Sequence, residues 1–148
     1  MNNGIFIIAH APLASALRQC VLHVFPDGGD QVGVFDVLAT ASPEETLVGA
    51  RQAMALLNVT GVLVVTDIFG ATPCNVAQKL VDGVDSRLVA GVNLTMLLRA
   101  FNYRQEALES MVTRALTGGT QGVMSISVTA LQNQQRNTND QDDHDHQQ

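Results

Sequence analysis

The chain has 148 residues, 46% of them hydrophobic, which is about one domain's length with enough apolar material for a core of its own. A formal charge of −6 and the lack of any Lys or Arg run exclude a surface built to neutralise a phosphate backbone, so nucleic acid is not an expected partner. The apolar stretch Ile5 to Ala9 has no basic segment before it and is too short for a signal peptide or a membrane span, so a cytoplasmic protein without membrane insertion is expected.

In chain order, Ile5 to Ala9 is a continuous apolar run, the pattern of a parallel strand covered on both faces. His10 ends it, and Pro12 suits the first turn of a helix with Leu13, Leu17, Cys20, Val21 and Val24 on one stripe, broken at Pro26-Asp27-Gly28-Gly29-Asp30. Val32 to Leu38 is a second run, interrupted by Asp36. Ser42-Pro43-Glu44-Glu45 then has the form of a capping box, opening a helix whose buried stripe is Leu47, Ala50, Met54 and Leu57.

Gly61 to Thr66 is a third strand, and the loop from Asp67 leads to Thr72-Pro73, which predicts a capped helix with Val76, Ala77 and Leu80 inward. Leu88 to Val92 is a fourth strand, followed by Asn93, a helical segment over Thr95 to Phe101, and a helix over Gln105 to Leu116 that Gly118 is placed to stop. Val123 to Val128 alternates, with Met124, Ile126 and Val128 on one face, which predicts an edge or antiparallel strand. From Gln132 the composition is almost wholly polar and cannot offset chain entropy by burial, so a folded domain over residues 1–131 and a polar, disordered tail over 132–148 are expected.

Strands alternating with helices predict an α/β fold with an open, doubly wound, mostly parallel sheet. Its ligand site should lie beyond the carboxyl ends of the strands, where the strand order switches. Those ends carry His10, Asp36, Asp67 and Asn93. With the order 2-1-3-4, His10 and Asp67 face each other across the switch point. A histidine becomes a nucleophile when one ring nitrogen gives its proton to an acceptor, and Asp67 is the obvious acceptor. Free amides near Leu13 and Ala14, at the start of the following helix, suit an anion such as a phosphoryl group attached to His10.

Other readings of these residues stand beside the chemical one. His10 can simply close its strand, and Asp67 can be a turn residue bonded to its own backbone. Asp36 reads as structural or supportive, Asn93 as a cap. Thr72 either caps its helix or bonds a phosphate oxygen. Ile68 and Phe69 either form a docking patch for a partner or fold back as a lid. Cys20 and Cys74 have no metal or redox spacing and read as reduced helix residues, His23 reads as surface or packing, and Asp143-His144-Asp145-His146 fits no defined metal site.

Taken together, Ile7-Ile8-Ala9-His10, Val65-Thr66-Asp67-Ile68-Phe69-Gly70-Ala71-Thr72-Pro73-Cys74-Asn75 and Ala90-Gly91-Val92-Asn93-Leu94 resemble the IIA domain of the mannose-type family of the bacterial phosphoenolpyruvate-dependent sugar phosphotransferase system, over about Ile5 to Val128. The resemblance implies a histidine, here His10, phosphorylated on Nε2 by the phosphocarrier HPr, an aspartate, here Asp67, that orients it, and onward transfer to a IIB partner. It also implies a homodimer in which the last strand, here Val123 to Val128, is exchanged between subunits. Ala11, Phe69 and Thr95 depart from the family's common glycine, tryptophan and proline, and none of these removes a reacting group. No Ala/Pro-rich linker or IIB sequence follows, so a free-standing IIA protein is expected. Its output can instead be regulation of a partner by phosphorylation state, or phosphoryl delivery to a dihydroxyacetone kinase. No metal or other cofactor is expected, because helix N-termini can stabilise the transferring group and no nucleotide loop is present.

Overall fold

The computed structural model describes residues 2–128. Four parallel strands are found among them: β1 (Asn3–His10), β2 (Val32–Val37), β3 (Gly61–Thr66) and β4 (Ser86–Ala90), in the order β2-β1-β3-β4. The helices are α1 (Leu13–Val24), α2 (Pro43–Ala55), α3 (Thr72–Gln78), α4 (Leu94–Asn102) and α5 (Leu108–Gln121), with a short 3-10 turn over Pro26–Gln31. The predicted strand order is the observed one, and β1 and β3 are neighbours with Ile8 beside Thr66.

The unbroken apolar run of β1 follows from its central place. Successive side chains point to opposite faces, and both faces are covered. Ile5, Ile7 and Ala9 join a core with Ala14 and Val21 of α1, Leu97 and Phe101 of α4, and Met111 and Ala115 of α5. Phe6 and Ile8 join the opposite core with Ala50 of α2 and Val76 and Ala77 of α3. The predicted capping box is present: Ser42 Oγ accepts from Glu45 N–H and Glu45 Oε1 accepts from Ser42 N–H. Asn93 caps α4 by accepting the Met96 N–H at 2.9 Å.

Several expectations are corrected. Pro12 is the N-cap of α1 rather than a residue of its first turn, and the Ala11–Pro12 peptide is cis. The buried line of α1 is Ala14, Leu17 and Val21, while Leu13, Cys20 and Val24 lie a residue's rotation away and are exposed. Gly118 does not end α5, which runs on to Gln121. Gly118 and Gly119 are buried where α5 meets α4: a Cβ on Gly118 would lie 2.7 Å from the Cβ of Arg99, and one on Gly119 would lie 2.8 Å from the terminal methyl of Met96. These glycines serve close helix contact. The fourth strand begins at Ser86 and ends at Ala90, two residues earlier at each end than expected.

Val123–Val128 pairs with none of the four strands, so the expected edge strand is not formed within one chain. Val123, Met124, Ile126 and Val128 are exposed. The alternation marks a segment suited to pairing, but pairing needs a strand edge brought alongside, and the chain does not carry this segment to β2 or β4. The polar end from Gln132, with its expected boundary, lies outside the described residues.

Candidate functional site

His10 is the last residue of β1 and Asp67 the first after β3, so parallel pairing of these two strands delivers both to one rim of the sheet. The His10 ring presents Nδ1 to Asp67 Oδ2 at 2.7 Å, and the His10 backbone N–H donates to the same oxygen at 3.0 Å. The other oxygen, Oδ1, accepts the Ile68 N–H at 2.9 Å. Asp67 is thus both a turn residue and a partner of the histidine, and the two readings of its role are one geometry. Its backbone-facing bonds fix the carboxylate, and the fixed carboxylate fixes the ring.

The charge state of Asp67 fits this arrangement. Partial burial pushes its carboxyl up, but hydrogen bonds from the His10 N–H, the His10 ring and the Ile68 N–H, with the attraction of the imidazole, outweigh burial and hold it below the ordinary value of 3.8. An ionised Asp67 can only accept, so in a neutral His10 ring the proton sits on Nδ1 and the lone pair is left on Nε2. The His10 side chain is 55% exposed and that of Asp67 14%, so one partner faces solvent while the other is held beneath it.

The other predicted residues divide. Leu13 and Ala14 are the first residues of α1, three and four positions beyond His10, and their backbone N–H groups find no acceptor among the described residues. Thr72 does not cap α3. Ala71 holds the N-cap position in extended backbone, and Thr72 is already the first helical residue, with its side chain exposed. Gly70, at φ +90°, makes the turn that brings Ala71 there. Ile68 and Phe69 are 57% and 77% exposed and stand out from the surface rather than folding back as a lid.

Asp36 does not reach the ring. Its carboxylate takes the Ser15 N–H on Oδ1 at 3.1 Å and the Ser15 hydroxyl on Oδ2. Ser15 was not identified from the sequence, where the one available signal was a hydroxyl in the first turn of the helix after His10. Among the described residues no three His, Cys, Asp or Glu side chains gather around a common point that could hold a metal, and no helix is long and apolar enough to cross a membrane.

Residues 4–116 match the EIIA-man family, described as the PTS system fructose IIA component. The chain is similar to the PTS system mannose-specific EIIAB component of Escherichia coli K12, with 27% identity over 107 residues, covering 70% of this chain and 33% of that protein. It therefore spans about a third of the length of the curated relatives it matches. In fold it is similar to the phosphotransferase system component EIIA from Streptococcus agalactiae, with TM-score 0.73, 23% identity, and coverage of 82% of this chain and 95% of that one. It is also similar to the mannose/sorbose specific IIA subunit from Enterococcus faecalis, with TM-score 0.72, 23% identity, and coverage of 86% and 96%. With more than half of its length matched to the family and the same α/β fold around the His10–Asp67 pair, the chain belongs to the EIIA-man family of phosphotransferase-system IIA components.

Proposed function

We propose that this protein is a phosphohistidine carrier in which His10 receives a phosphoryl group from HPr and passes it to a IIB-type partner of the sugar phosphotransferase system. The observation that carries this reading is the division of labour on the His10 ring: Nδ1 is engaged by Asp67 at 2.7 Å, while the half-exposed ring leaves Nε2 unpaired among the described residues. In the transfer, the Nε2 lone pair forms the new N–P bond as the donor's P–N bond breaks, and the bonding pair returns to the donor's nitrogen. No proton or water is consumed. The loaded His10 ring keeps its Nδ1 proton and becomes positively charged, and Asp67 supplies the countercharge. Because each bond broken matches the bond formed, the step is reversible, as a carrier requires.

The amides of Leu13 and Ala14 and the hydroxyl of Thr72 are the donors available to the phosphoryl oxygens. Exposed Ile68 and Phe69, beside Asp67, suit the docking face for donor and acceptor. Val123–Val128, apolar, alternating and exposed, suits exchange between two copies of the chain in a homodimer.

The test is incubation with phosphoenolpyruvate, enzyme I and HPr, followed by intact mass and acid lability. One acid-labile phosphoryl group on the wild type and none on His10→Ala is the expected result. No phosphate on the wild type, or undiminished phosphate on His10→Ala, overturns it.

A further inference from the structure

We infer that Asp36 is a positioning residue for His10, holding the short link between β1 and α1 that carries the ring. The inference rests on the phosphocarrier reading above and adds a residue to it. After His10 only Ala11 and Pro12 remain before α1 begins at Leu13. This link is pinned from β2. The Ala11 N–H donates to the Val37 carbonyl at 3.0 Å, and one residue earlier Asp36 holds Ser15 by its N–H and its hydroxyl. The strand register sets Asp36 beside Ala9 and Val37 beside His10, so adjacent residues of β2 close the arc from His10 to Ser15. From the other side Asp67, at the end of β3, holds the ring and the backbone N–H of His10.

A local cap would not do the same. The N-cap of α1 is Pro12, whose side chain makes no cap bond, so the acceptor comes from a neighbouring strand. A helix capped by its own preceding residue is stabilised but not aimed. One capped across the sheet is tied to the strand that also sets the register of His10. The Asp36 charge itself works against an arriving phosphoryl anion, so what Asp36 contributes is the geometry it holds. Asp36→Asn keeps an acceptor for the Ser15 N–H, can donate its amide to the Ser15 hydroxyl oxygen and removes that charge, while Asp36→Ala removes both bonds.

The experiment measures single-turnover phosphorylation of the full chain against HPr concentration, at a temperature where circular dichroism shows each variant folded. Misplacement of a reacting group by a fraction of an ångström lowers rates steeply, so Asp36→Ala is expected to lose on the order of tenfold in maximal rate. The half-saturating HPr concentration should be unchanged, and Asp36→Asn should recover most of the loss. A folded Asp36→Ala with the wild-type maximal rate, or a loss confined to half-saturation, overturns the inference. If Asp36→Ala does not fold, Ser15→Ala, which removes the hydroxyl bond alone, replaces it, and an unchanged maximal rate there overturns the inference equally. The Nδ1 proton resonance of unphosphorylated His10 gives a readout independent of transfer. It should shift in Asp36→Ala, or in the Ser15→Ala substitute, and stay near its wild-type position in Asp36→Asn, and a resonance that does not move counts against positioning even if no phosphoryl group is ever accepted.

Discussion

The two ends of the sheet use polar side chains in opposite ways. At the amino end, Asn3 is fully buried: its N–H donates to the Arg104 carbonyl at 3.0 Å and its side-chain amide to the Glu106 carbonyl at 2.7 Å. Arg104 in turn bonds Gln31 Oε1 and its own turn at the Phe101 carbonyl, with its guanidinium 4.1 Å from the Phe101 ring centre. The Asn3 donors there are consumed in tying strand, turn and helix together, and its one unpartnered atom among the described residues, Oδ1, is buried. At the carboxyl end, Asp67 and Asp36 are equally committed, Asp36 to Ser15 and Asp67 to a half-exposed histidine whose second nitrogen has no partner among the described residues. The first arrangement stabilises the fold; the second leaves one polar atom with a use outside it.

That contrast can be broken most sharply at His10. His10→Ala should abolish phosphoryl acceptance while leaving the midpoint of thermal unfolding nearly unchanged, because an exposed side chain contributes little to stability. Next comes Asp67→Ala, which frees the ring to rotate and to take the wrong tautomer, and should slow transfer about 100-fold in a single-turnover assay. The amino end should respond in the opposite way. Asn3→Ala strands the Glu106 carbonyl and is expected to cost about 2 kcal/mol in urea unfolding, with the transfer rate of the folded molecules unaltered. A rate that falls with Asn3→Ala would show that the two ends are not separable.

The smallest effect is a titration. The Asp67 carboxyl lies below 3.8 in the folded protein, so the stability it supplies is fully present above that value and is lost as pH falls through the lower native one. Carbon NMR of Asp67 should give a midpoint below 3.8. In His10→Ala, where the ring bond goes but the two backbone bonds stay, the midpoint should rise part of the way back.

Much of this was legible in the sequence because the signals were local. The apolar runs of β1 and β3, the polar residue ending each, and the Ser42–Glu45 box need no knowledge of distant neighbours. What escaped depends on partners far along the chain. A glycine near a helix end reads as a stop, and only contact with Arg99 and Met96 shows Gly118 and Gly119 to be places where two helices approach closely. Ser15 carries no mark of its own until β2 brings Asp36 against it. Thr72-Pro73 has the form of a cap, yet the turn at Gly70 shifts the helix start by one residue. The alternation of Val123–Val128 is real, but alternation shows that a face needs covering and not what covers it.

The central claim is most directly tested by nitrogen NMR of histidine-labelled protein before and after loading from phospho-HPr. The account predicts an unloaded His10 protonated on Nδ1, and a loaded one with the phosphoryl group bonded to Nε2 and the Nδ1 proton retained against Asp67. A phosphoryl group on Nδ1, or on any other residue, would contradict it.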